Sequence, residues 1–303
     1  MTNIEQAVKL VEEAERLSQQ TKDIFELFEL VFTSYSPYGW HIKCYNNYVE
    51  AGKIYEESDE LEDAANLYHK AGKIAEDLGK FKLAAMSYEL ARQCALKCNP
   101  GFSIDCYIKA VTLYIEDDFY DGLERCTETM SLIFELGEID KSLAPKFYEQ
   151  SIDLFVKYAY KDNVKSFVNI FKFQYARHLY LEKDYQGSLP LFKDVALAEP
   201  TNTSNDECIY ISRVYTCLVA ILALGPEAPK YIYKLSKRSQ EFKQSSQYLI
   251  IKIILECIRN RNFEGLEEAV KSLTTKGERF ELFYSRVRDN IDNIPITDPL
   301  EFE

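Results

Sequence analysis

Residues 61–79 read LEDAANLYHKAGKIAEDLG and residues 81–99 read FKLAAMSYELARQCALKCN. In each, small residues bracket a tyrosine at helix spacing: Ala64, Ala65, Tyr68 and Ala71 in the first, Ala84, Ala85, Tyr88 and Ala91 in the second. Small side chains let two helices approach closely, and the aromatic fills the hole opposite. A third stretch, YQGSLPLFKDVALAEP (185–200), repeats the pattern as Ser188, Phe192 and Ala196. Working outward, residues 3–21 place Ile4, Ala7, Val8, Leu10, Val11, Ala14 and Leu17 on one face at the 3.6-residue period. Helix-length stretches then follow at roughly 40–56, 60–78, 80–97, 102–116, 119–136, 140–158, 162–181, 185–198, 206–224, 227–239, 241–260, 262–274 and 277–292.

Hinges of about two to six residues between such stretches imply neighbours packed antiparallel in series. The expected fold is therefore all-α, a TPR-like α-solenoid of antiparallel helical hairpins, about 13–14 helices in all. It is an irregular one: the period is nearer 40 than 34 residues, and the Trp-Leu-Gly signature is missing. The expected division is 1–225 for the solenoid, including an apolar N-terminal loop at 22–39, and 226–303 for a C-terminal helical bundle with an acidic tail.

Composition agrees with a helical globular chain. Of 303 residues 47% are hydrophobic and 28% charged, with only 11 glycines and 9 prolines. A net charge of −13 argues against nucleic acid as a partner, because phosphate-backbone attraction needs the opposite sign. The eight cysteines form no C-x-x-C pair and read as free, buried thiols of a reducing cytosol. The start, MTNIEQAVKLVEEAERLSQQ, has no signal-peptide run. CIYISRVYTCLVAILALG (208–225) is interrupted by Arg213 and reads as a buried helix rather than a membrane span. The 22 tyrosines and 18 phenylalanines fall mostly on apolar helix faces, which assigns them to core packing.

Chemistry is sparse. His41, His69 and His178 are far apart and lack metal-ligand spacing. No phosphate-cradling glycine loop, G-x-S-x-G elbow, H-E-x-x-H helix or D-x-D-x-D-G loop occurs. The expectation is a non-enzyme without metal or cofactor, presenting a long surface to other proteins. Charge is then the informative feature. Residues 141–193 hold nine basic side chains against five acidic, and residues 228–261 hold eight against two. Either these are solvated helix faces or an acidic partner lies along them. Residues 22–39, KDIFELFELVFTSYSPYG, gather Ile24, Phe25, Leu27, Phe28, Leu30, Val31 and Phe32. That stretch reads equally as a membrane-contacting loop or as a cap over the first hairpins.

With these features assembled, the chain resembles the soluble NSF attachment protein (SNAP) family, adaptors that couple SNARE bundles to the disassembly ATPase NSF. The likeness runs through EEAERLSQQ (12–20), IFELF (24–28), residues 48–91, residues 104–135, ILECIRNRNFEGLEEAVKSL (254–273) and RFELFYSRVRDNIDNI (279–294). It implies an adaptor of vesicle trafficking and membrane fusion, cytoplasmic and peripherally associated with membranes, whose partners are SNARE proteins and an NSF-type AAA ATPase. It implies SNARE contacts at Arg125, Lys161, Lys165 and Lys172, and membrane attachment through Phe25, Leu27, Phe28 and Phe32. NSF contacts are implied at Glu256, Asp298, Leu300 and Glu301. Two departures stand out: Ile170 occupies the place of a family lysine, and Arg259 follows Glu256 where the family is acidic. The alternatives are a generic TPR-like scaffold, or a mimic that binds SNAREs or NSF without promoting disassembly.

Overall fold

The computed structural model describes residues 3–28, 38–118, 141–158, 162–200, 207–273, 280–291 and 294, and among these are helices and turns but no strand. The chain is an all-α helical solenoid divided into two compact units, Met1–Leu154 and Phe155–Glu303.

In the first unit, α1 (Asn3–Phe28), α2 (Tyr38–Glu57), α3 (Leu61–Asp77), α4 (Phe81–Cys98) and α5 (Pro100–Asp117) each pack against the next. A 3-10 turn at Lys141–Leu143 leads into α6 (Ala144–Lys157). Of the loop expected at 22–39, residues 22–28 are helical, since α1 continues to Phe28, and residues 29–37 lie outside the described residues. Nothing in KDIFELF breaks a helix: the first proline is Pro37 and the first glycine Gly39.

The expected small-residue and tyrosine pattern packs as a repeated contact. Gly52 on α2 lies under the ring of Tyr68 on α3, so close that a Cβ there would sit 2.9 Å from a ring carbon. Gly72 on α3 stands under Tyr88 on α4 in the same way, again at 2.9 Å. The Tyr68 hydroxyl donates to Glu56 Oε2 at 2.8 Å and the Tyr88 hydroxyl to Glu76 Oε2 at 2.9 Å. Glycine, glutamate and tyrosine all advance together by one helix, from 52, 56 and 68 to 72, 76 and 88. At the next step Arg92 and Ile108 take the glycine and tyrosine positions, and the ring-on-glycine contact stops.

The turns share a shape. Asp59, Gly79, Lys183 and Arg261 all have φ between 53° and 67°. Each is followed by an amide that donates five residues back: Glu60 to the Tyr55 carbonyl, Lys80 to Ala75, Asp184 to Leu179 and Asn262 to Cys257, at 2.8–2.9 Å. This is the Schellman closure, which satisfies a helix's last carbonyls and turns the chain back.

In the second unit the helices are α7 (Asp162–Leu181), α8 (Tyr185–Ala196), α9 (Glu207–Leu224), α10 (Ala228–Arg238), α11 (Gln240–Lys243), α12 (Ser246–Arg259), α13 (Phe263–Ser272) and α14 (Glu281–Asp289). Helix α9 is its centre, touching α7, α8, α10 and α12. Among the described residues α9 lies in the only segment long and apolar enough to cross a membrane, but 78% of the apolar window is buried inside the protein. Its Arg213 is 6% exposed, holding the Ala196 carbonyl at 3.3 Å and Glu241 at 3.0 Å. Tyr215 is ringed by Phe173, Tyr180, Phe192 and Phe280, with the Phe192 ring stacked at 4.8 Å.

The single helix expected at 241–260 is two, because Ser239 and Ser245 each cap a new start. Their hydroxyls accept from the amides of Phe242 at 3.3 Å and Tyr248 at 3.2 Å. The expected boundary at 225/226 falls on the 3-10 turn Gly225–Glu227, and helices on both sides of that turn share one hydrophobic core.

Candidate functional site

Lys165 and Lys172 lie on α7 seven residues apart, hence about 10 Å along the axis and on nearly the same face. Lys165 is exposed. Lys172 is half-buried and pairs with Asp194 of α8 at 3.2 Å. Between them Ile170 packs against the hydrophobic core of the second unit. Its apolar side chain is thereby accounted for by packing, and the nearest cation on that segment is one already matched to an acid. Arg125, Lys161, Phe32, Asp298, Leu300 and Glu301 lie outside the described residues. Phe25, Leu27 and Phe28 belong to the last turns of α1, and their side chains too lie outside what is described. Glu256 is exposed on α12, with the Arg259 guanidinium 3.9 Å away on the following turn. The basic replacement at 259 therefore also offsets the acid that remains.

Counting charges along the sequence missed where cations go after folding. Lys43 pairs with Glu13 at 2.6 Å, Lys70 with Glu15 at 3.0 Å, Lys109 with Glu76 at 3.5 Å and Lys146 with Asp105 at 3.2 Å. Every one of these joins two different helices, so no spacing rule within a helix could have found them. Each exposed pair is worth about 0–1 kcal/mol, and an acidic partner must compete with it. Lys109 also stands 5.0 Å over the Tyr88 ring, joining the cation to the repeated contact.

The residues that could have carried chemistry are built into packing. His69 sits edge-on to Tyr88 and Phe102, at 5.3 and 5.1 Å, and burial pushes its pKa down to about 4, keeping the imidazole neutral. Burial pushes the thiols of Cys44 and Cys94 up to about 11 and that of Cys106 to about 12. Such thiols stay protonated and unreactive. Among the described residues no group of three His, Cys, Asp or Glu is arranged to hold a metal ion.

The arrangement offers charged and apolar surface on a helical frame. Compared with known families, residues 5–275 match the family model described as "Soluble NSF attachment protein, SNAP". The match spans both compact units.

Proposed function

Since the chain belongs to the soluble NSF attachment protein family, whose members are helical, non-catalytic adaptors, we propose that it binds assembled SNARE bundles and recruits an NSF-type ATPase to them in membrane trafficking. The observation that carries this reading is the family match over residues 5–275. In this reading residues 1–225 supply the SNARE-facing solenoid, through Arg125, Lys161, Lys165 and Lys172. Residues 226–303 supply the ATPase-facing end, through Glu256, Asp298, Leu300 and Glu301. Phe25, Leu27, Phe28 and Phe32 provide a peripheral membrane contact on the cytoplasmic side. The work of disassembly comes from the ATPase, and the adaptor supplies position and grip.

The test is a pull-down on an assembled SNARE bundle, followed by addition of NSF and ATP. Binding and ATP-dependent disassembly are the expected outcome. Binding without disassembly would identify a regulator, the reading favoured by Arg259 beside Glu256. No binding would leave a helical scaffold with other partners.

Two substitutions refine the reading. Lys165→Glu with Lys172→Glu is expected to weaken SNARE capture about tenfold at 0.1 M salt and to flatten its salt dependence, because two screened attractions become repulsions. Unchanged capture would place the SNARE face elsewhere. Phe25→Ser with Phe28→Ser is expected to lower liposome co-sedimentation about tenfold or more, as each lost aromatic removes about 1.5–3 kcal/mol of transfer energy. An altered circular-dichroism melt with unchanged liposome binding would instead make these rings part of the core.

A further inference from the structure

The C-terminal excess of basic residues is gathered at one place. On α10, Tyr231, Lys234, Leu235 and Arg238 follow at helix spacing, and with Lys237 they line an open groove opposite Lys193 and Leu197 at the end of α8. The groove measures about 290 Å³. Leu235 is buried at its floor. Lys193 and Tyr231 are half-buried, with the ammonium 5.9 Å from the ring centroid, while Lys234, Lys237 and Arg238 are exposed.

Four cations and no carboxylate line the groove. Asp194, next in sequence to Lys193, is already taken by Lys172 at 3.2 Å. Among the described residues none of the four cations forms an ion pair, in contrast to the cross-helix pairs of the first unit. The carbonyl ends of α8 and α10 offset part of the repulsion, as does the charge of Asp194, which reaches Tyr231. Burial pushes the Tyr231 phenol up to about 12, so its hydroxyl remains a donor.

Size and chemistry narrow the ligand. The volume lies at the lower end of small-ligand sites and suits one ring-sized head group, whereas an acidic helix would need apolar contacts over several turns. The ammonium groups of Lys193 and Lys234 and the forked guanidinium of Arg238, from two helices, match several phosphates held close together, while the Lys237 ammonium lies 4.5 Å from the Tyr233 ring centroid. We infer that the groove between α8 and α10 is a binding site for a compact polyphosphate, a ring bearing clustered phosphomonoesters of the inositol phosphate type, free or as a lipid head group. Lys193, Lys234 and Arg238 take the phosphates, Tyr231 donates to one of them, and Leu197 and Leu235 lie against the ring. The inference stands independently of SNARE or NSF binding.

The test is calorimetric titration of the full chain with inositol hexakisphosphate, beside inorganic phosphate, a hexaglutamate peptide, and vesicles with and without phosphatidylinositol bisphosphate. Hexakisphosphate is expected to bind, more weakly as salt rises, and far more tightly than inorganic phosphate. Lys234→Ala with Arg238→Ala is expected to lower its affinity at least about tenfold, since each removes a charge-assisted contact. Lys234→Arg with Arg238→Lys should retain most of it, and Lys43→Ala with Lys146→Ala, both exposed cations of the first unit, should leave it unchanged. Both alanine pairs are checked by their melting curves. Added binding to the bisphosphate vesicles marks the lipid as the source, and binding of the soluble phosphate alone marks a free ligand. Absent binding, equal binding of the peptide, or binding that the Lys234 and Arg238 substitutions leave untouched would overturn the assignment.

Discussion

Replacing Tyr88 by alanine is expected to destabilise the first unit by about 3–5 kcal/mol, a loss read as a fall of about 10 °C in its circular-dichroism melt. The ring is fully buried, lies on Gly72, receives the edge of His69 at 5.3 Å, and directs its hydroxyl to Glu76 at 2.9 Å. Truncation removes the ring from the close approach of α4 to the Gly72 backbone of α3. Tyr88→Phe isolates the hydrogen bond and should cost about 1 kcal/mol. Gly72→Ala attacks the same contact from the other side. Its new Cβ meets the ring at 2.9 Å, and the expected cost is about 1–3 kcal/mol of overpacking. A Tyr88→Ala protein that melts with the wild type would refute the ring-on-glycine contact as a determinant of the stack.

The second unit depends as strongly on Arg286. Its guanidinium comes from α14 and donates to the carbonyls of Tyr180 and, at 2.9 Å, Leu181, the last residues of α7. It also stacks 4.3 Å over the Tyr180 ring and 5.5 Å from that of Tyr185. One side chain thus closes a helix end more than a hundred residues away in sequence while filling an aromatic slot. Arg286→Ala is expected to lower stability by about 3–5 kcal/mol, from two charge-assisted hydrogen bonds at roughly 1.5–3 kcal/mol each. Arg286→Lys should recover little, because an ammonium cannot both serve two carbonyls and lie flat on a ring. The urea midpoint is the measurement, and a lysine variant as stable as the wild type would show that charge alone accounts for the site.

The helices at 61–79 and 81–99 were legible because their apolar period is unbroken and their small residues bracket a tyrosine; the structure has Leu61–Asp77 and Phe81–Cys98 with those tyrosines buried. The Ala-Gly-Lys-Ile text at 51–54 and again at 71–74 also stands in the sequence. Its meaning emerges only when Gly52 and Gly72 are seen beneath rings of the following helix. Arg286 was invisible in RFELFYSRVRDNIDNI, where a basic residue in a polar-looking segment carries no sign of burial. Of the candidate contacts, Lys165 and Glu256 are exposed. Lys172 is spoken for by Asp194, a partner on another helix that only folding brings near.

The steps from Gly52 to Gly72 and from Tyr68 to Tyr88 are the same length and use the same contact. A helical hairpin would make the interface alternate between two kinds, one within the hairpin and one between hairpins. Here the interface from α2 to α3 and that from α3 to α4 are copies of each other, closed by turns at Asp59 and Gly79 with the same hydrogen bonds. In this part of the chain the modular unit is therefore one helix with its turn. Insertions or excisions of about twenty residues stay in phase with the stack, and the contour of the first unit is adjustable in steps half as long as those of a hairpin array.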